Sequence, residues 1–202
     1  MRRKCSVQRH AEPKPGLRSA LFTLSVLFWI TSVAAMAQTD RFIAGSGLWS
    51  EDENWSLDGL PTQGNDCVLP ANSVVTSDVG GTCASFALGS NAFLTINPGY
   101  LDVYGSKFVN QSTITVGSAN LNFSQNSITT MSGGGTITLT NSASTFSGSQ
   151  NTVINTNNTI QGQGYMGVTQ FTNQALINAN VPSGGLQLHA GGTVGITNTG
   201  TV

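Results

Sequence analysis

The stretch Ser112-Thr113-Ile114-Thr115-Val116-Gly117-Ser118-Ala119-Asn120-Leu121-Asn122-Phe123 decides how this chain folds. Ile114 and Val116 flank one polar residue, and after a short polar step Leu121 and Phe123 do the same. Such alternation marks a half-buried β-strand. Outward from here an apolar beat returns every seven to nine residues, at Leu94, Leu101 and Phe108 before it and at Ile128, Ile137, Phe146, Val153, Ile160, Val168, Ile177, Leu186, Val194 and Val202 after it. Between the beats lie almost only Asn, Thr, Ser, Gly and Gln. A short regular repeat of strand formers is the signature of a stacked solenoid, in which each coil completes the core of its neighbours. The expected fold is all-β, a right-handed parallel β-helix (β-solenoid) with three strands per turn and coils of roughly 22 to 25 residues. Gly80-Gly81, Gly133-Gly134-Gly135, Gly184-Gly185 and Gly191-Gly192 are the expected corners, because glycine reaches positive φ without steric penalty. A disordered polar tract would share the composition. It would not space its Ile, Leu, Val and Phe evenly, whereas ordering requires a repeated buried face to offset chain entropy.

Charge narrows the function. Charged residues make up 8% of the chain, with a formal net charge of -1. Six basic residues, from Arg2 to Arg18, precede the first long apolar run; after it only Arg41 and Lys107 are basic, and beyond Lys107 there is no Asp, Glu, Lys or Arg. Nucleic-acid binding needs clustered cations against phosphate and is excluded. The basic residues 1–18, the apolar run 19–35 and Ala35-Met36-Ala37 together read as a secretory signal peptide (residues 1–37) cut after Ala37. The expected destination is extracellular or the outer-membrane or cell surface. An uncleaved anchor is the alternative reading of the same run.

Residues 38–92 differ from the repeats, which are assigned to 93–202. Trp49 and Trp55 are the only tryptophans after the signal, and Glu51, Asp52 and Glu53 lie between them. The indoles could stack on glycan rings, and the carboxylates could hold calcium or act as an acid/base pair. A solenoid also needs its apolar end covered, and an aromatic N-terminal capping segment meets that need. The acidic run lacks the alternating ligands around a glycine that a calcium loop uses. A cap is therefore the expectation. Cys67 and Cys83 are the cysteines left after the signal, and in an exported chain they suggest a disulfide, worth about 3 kcal/mol for a loop of this size. Two buried thiols are the other reading. No metal or cofactor site is expected, since His189 is the sole histidine beyond the signal.

Catalysis finds little to work with. The repeats carry no carboxylate after Asp102, so a carboxylate pair across a groove cannot be assembled there, and His189 alone makes no triad. The expectation is a non-enzymatic structural or adhesive scaffold; the alternative is a secreted carbohydrate-binding or polysaccharide-degrading β-helix. Asn110, Asn141, Asn158, Asn173 and Asn198 fall near strand ends, where stacked coils would align them as amide ladders.

Two motifs carry a family resemblance. Gly47, Trp49, Ser50, Asn54, Trp55, Gly59, Pro61, Gly64 and Asp66 resemble, in order, the opening module of bacterial autotransporter-passenger-like and PEP-CTERM-type exported repeat proteins. Asn65 intervenes where Gly and Asp are usually adjacent. The run Asn158-Thr159-Ile160-Gln161-Gly162-Gln163-Gly164, then Asn173-Gln174-Ala175-Leu176-Ile177-Asn178-Ala179-Asn180 and Asn198-Thr199-Gly200, is similar to the repeats of the same proteins, with Ala175 where Gly is common. The resemblance implies a β-helical surface protein, passenger or adhesin, with cell-surface or extracellular glycans or host and matrix surfaces as partners. It brings no catalytic residue. The sequence stops within the beat, at Gly200-Thr201-Val202. The expectation is an N-terminal portion of a longer protein, or an open coil used for end-to-end self-association.

Overall fold

The computed structural model describes residues 37–124, 128–182 and 184–202. The signal peptide expected over residues 1–37 falls, but for Ala37, outside the described residues. Among those described, no helix is long and apolar enough to cross a membrane. The chain is a parallel β-solenoid of about six turns. The first coil comprises Asn65–Leu69, Val74–Ser77 and Gly80–Cys83. The second repeats it with Ser85–Leu88, Phe93–Ile96 and Tyr100–Val103, and the third with Lys107–Asn110, Thr113–Val116 and Asn120–Phe123. Ile128–Ser132 opens the fourth coil, after which the strands Thr136–Asn155, Thr159–Asn173 and Leu186–Asn198 run on around the corners. The only helical turn among the described residues is the 3-10 turn Asp52–Asn54.

Every pairing between these strands is parallel, with register shifts where the longer strands round the corners, at Thr140/Thr145, Gly148/Thr152 and Val168/Gln170. On the second face Val75, Leu94, Ile114, Ile137, Ile160 and Ile177 stack as one column. All six are buried. Inward positions alternate with outward ones, as the period of two requires. A column of this kind is what the apolar beat encodes. Stacking begins earlier than that beat, because Gln38–Arg41 already pairs with Asn65–Leu69 and Ser46–Leu48 with Val74–Ser77. The coils vary in length: the step from Cys67 to Phe86 is 19 residues, and that from Phe171 to Ile196 is 25.

An aromatic spine runs through the core. Ring centroids lie 5.2 Å apart for Phe86–Phe108, 5.4 Å for Phe108–Phe123, 5.2 Å for Phe123–Phe146 and 6.1 Å for Phe146–Phe171. Phe86, Phe108 and Phe171 belong to the first face, Phe123 and Phe146 to the third. Where the first face offers only Thr129 and Met131, Phe146 fills the coil from across.

Three sequence expectations shift. Ile128 points outward and is 57% exposed, while Thr129 and Met131 face in. Met131 is held opposite Phe108, and the Thr129 hydroxyl donates to the Gly105 carbonyl at 3.0 Å. Gly133 and Gly134 do turn a corner at φ +111° and +77°. Gly80 and Gly81 instead lie within a strand. Their missing side chains make room for the Tyr100 ring and the Trp49 indole, either of which a Cβ would strike at under 3 Å. The amide ladder exists, with different membership. Asn155 Nδ2 donates to Asn173 Oδ1 (3.0 Å) and Asn173 Nδ2 to Asn198 Oδ1 (2.8 Å). Asn110 and Asn141 bond their own turns through Ser112 and Ala143. Asn158 buries its amide over neither ladder nor turn, although its backbone N–H donates to Asn155 Oδ1 at 3.0 Å.

The spine sets the first prediction. Phe108→Ala removes a ring packed between two others and should destabilise the fold by about 3–5 kcal/mol. Phe93→Ala, at an outward position that is 49% exposed, should stay within about 0.5 kcal/mol of the parent. Urea unfolding of the two variants beside the parent checks the contrast.

Candidate functional site

The segment between Gln38–Arg41 and Asn65–Leu69 folds over the mouth of the first coil. Phe42, Trp49 and Trp55 are fully buried. Trp55 meets Trp49 edge-on at 4.6 Å and Phe42 at 5.5 Å, and its Nε1–H donates to the Trp49 carbonyl at 3.0 Å. Neither indole presents a face to a sugar, so the glycan-stacking role considered for Trp49 and Trp55 is overturned by burial. Their apolar area is spent on closing the core. Ser50 fastens this cap to the first coil, its hydroxyl donating to Asp78 Oδ2 at 2.7 Å. Glu51 is likewise local, accepting from Asn54 Nδ2 at 2.6 Å. Among the described residues no group of three or more His, Cys, Asp or Glu side chains is placed to hold a metal ion.

Asp40 is the unexpected member of the cap. It occupies an inward position directly below Cys67 and is 1% exposed. Its Oδ1 accepts from the Ser56 hydroxyl at 3.1 Å and from the Leu57 N–H at 3.2 Å, tying the cap's return loop to the first strand. Desolvation raises its pKa above the ordinary carboxylate value, against the lowering effect of those hydrogen bonds. Period-two alternation from Asp40 to Phe42 could have revealed this inward carboxylate.

The disulfide expected between Cys67 and Cys83 is not formed; both are free, buried thiols. They lie at one corner of the first coil, in positions that Phe108 and Phe123 take two coils later. Burial first, then the hydrogen bond with Cys83, pushes the Cys67 thiol far above its usual range. The thiolate that would initiate exchange is thereby disfavoured.

The structure brings together two residues that sequence reasoning left apart. Arg41 and Lys107, the sole cations after the signal, line one trough of about 380 Å³ on the outer surface of the first face. Its floor is the outward column Val68, Ala87 and Val109, in register with Arg41. Its wall is made by the turns that follow these strands, which are four residues long in the first two coils (70–73 and 89–92) and shorten to two (111–112) in the third. A Cβ on Gly89 would lie 2.5 Å from the Ala71 nitrogen, so glycine lets these turns nest. Asp66 borders the neighbouring hollow beside Lys107 and is engaged by the Ser85 hydroxyl at 2.6 Å. Neither Arg41 nor Lys107 forms an ion pair among the described residues. Counting cations in the sequence isolates the pair, but only coil register puts them on one surface.

Protein-family models, curated proteins and solved structures give no match to this chain. The resemblance to exported repeat proteins therefore stands on its motifs alone.

Two outcomes follow for the cap. In native protein Cys67 and Cys83 should resist iodoacetamide and should both become alkylated after denaturation without reductant, as peptide mapping would show. A raised folded-state pKa means that Asp40 binds its proton more tightly when folded. Its contribution is full below the unfolded value of 3.8 and is lost as pH rises through the folded value. Asp40→Asn keeps the acceptor oxygen and should flatten that part of the stability-versus-pH curve, measured by urea titrations from pH 3.5 to 7.

Proposed function

We propose that this chain is an exported, non-enzymatic β-solenoid that serves as a structural scaffold at or beyond the cell surface, in the manner of a passenger or adhesin stalk. The observation that carries the reading is where the polar residues of the later coils go. They are engaged in holding coil to coil. Asn155 and Asn173 do this inside, and exposed Asn198 continues the ladder in the last coil. On the outside Ser147 donates to Asn122, and Asn122 Nδ2 to Asp102 Oδ1 at 2.7 Å. Thr140 and Thr156 hydroxyls donate to the carbonyls of Val116 and Met131 one coil below. Residues committed to intercoil bonds produce a stiff rod with defined faces, which suits display better than turnover.

Export is supported by the signal-like start and by the motif resemblance. A carbohydrate-binding role is the second reading, and the trough between Arg41 and Lys107 is the observation that favours it.

Expression of the full chain in a Gram-negative host tests the primary reading. The exported fraction should contain a product beginning at Gln38, and Ala37→Arg should block its processing. Retention of an unprocessed chain in the cytosol, with Met1 or its neighbour at the N-terminus, would refute export.

A further inference from the structure

We propose that the trough on the first face binds a carboxylated polysaccharide lying along the stacking axis, with its carboxylates on Arg41 and Lys107 and its sugar C–H surfaces on Val68, Ala87 and Val109. The proposal adds a ligand to the scaffold reading, and its geometry does not depend on export. Three observations converge on it. The first is charge: the body of the chain is acidic, yet its two cations share one concavity and neither forms an ion pair among the described residues, the Asp66 carboxylate beside Lys107 being held by Ser85. A neutral ligand would leave that convergence without a purpose, and two cations are too few for nucleic acid.

The second is spacing. Arg41 lies three coil steps from the strand that bears Lys107 and Val109. Val109 is in register with Arg41, and Lys107 lies two residues back along the same strand. At about 4.8 Å per step and about 3.3 Å per residue the two cations' backbones are about 16 Å apart, with the aliphatic floor beside the line between them. That arrangement matches a polymer bearing carboxylates at intervals, rather than a single small anion. The third is the kind of surface. Each strand under the trough is paired on both sides, Asn65–Leu69 by Gln38–Arg41 and Ser85–Leu88, and Ser85–Leu88 in turn by Lys107–Asn110. Gln38–Arg41 is the outermost strand, and there Ser56 takes both the Arg41 N–H and the Arg41 carbonyl. The floor strands themselves have no free edge, so an extended peptide finds nothing to pair with along them. A sugar chain needs none. Its apolar faces can lie on small aliphatic side chains while its hydroxyls reach Ser90 and Gln111 on the wall.

The test uses the purified protein and polygalacturonate of defined length in low-salt buffer, followed by calorimetry. Saturable binding that weakens with added salt is expected. Arg41→Gln and Lys107→Gln should each weaken it by about fivefold, the scale of one exposed charge contact. Ala87→Glu, which puts a carboxylate on the floor, should abolish it. All three positions are outward-facing, and unchanged melting of each variant would show that the fold is intact. Fully methyl-esterified polymer should not bind, and poly-glutamate of matched charge should bind at least about fivefold more weakly. Absence of binding to polygalacturonate overturns the proposal, as does affinity indifferent to the two Gln substitutions. Equal affinity for poly-glutamate would show a general anion patch and overturn the polysaccharide assignment. None of these results bears on whether the chain is exported, so the two readings fail separately.

Discussion

In-register parallel stacking is the constraint that the rest of this structure obeys. Each inward side chain has its nearest partners directly above and below, about 4.8 Å away in the hydrogen-bonding direction. A coil that is too thin leaves a void at that level, and one that is too full pushes the strands apart. The second face meets the constraint with an aliphatic column from Val75 to Ile177. The aromatic rings pass from the first face to the third and back again between Phe86 and Phe171, the third coil carrying one on each face at Phe108 and Phe123.

The cap follows from the same rule. Beside Leu69 and Val75, the first coil contributes only Cys67, Ser77, Gly81 and Cys83 to the interior, the smallest inward set among the complete coils described. That deficit accommodates Trp49, whose indole rests on Gly81, with Trp55 and Phe42 packed behind it. Lid and first coil are thus complementary halves of one packing unit. The buried Asp40 carboxylate is tolerated there because Ser56 and Leu57 of the lid supply its donors.

The β-solenoid was legible from Ile114, Val116, Leu121 and Phe123 outward, because burial with period two and stacking with a longer period both leave marks in composition. What failed was position within a coil. Ile128 reads as a beat and lies outside, since Thr129 can satisfy its hydroxyl within the core and Met131 must meet Phe108. Gly80-Gly81 reads as a corner and is a strand, because the requirement for glycine came from neighbouring rings rather than from φ. The tryptophans were legible as a cap, and their burial removes the competing role. The trough was not legible. It depends on turn length and on register across three coils, and neither is a property of any local stretch.

The ladder of Asn155, Asn173 and Asn198 has a consequence for how successive coils find their phase. A slip of one residue would turn an apolar column outward and be rejected by burial alone. A slip of two would not, because Ile, Leu, Val and Phe would still point inward. Each of these asparagines bonds its own turn, through Asn158 for Asn155, Ala175 for Asn173 and Gly200 for Asn198, and they hold one another from coil to coil. Displacement by two residues would leave the buried amides of Asn155 and Asn173 without these partners. The amides therefore discriminate between alignments that the hydrophobic effect treats as equivalent.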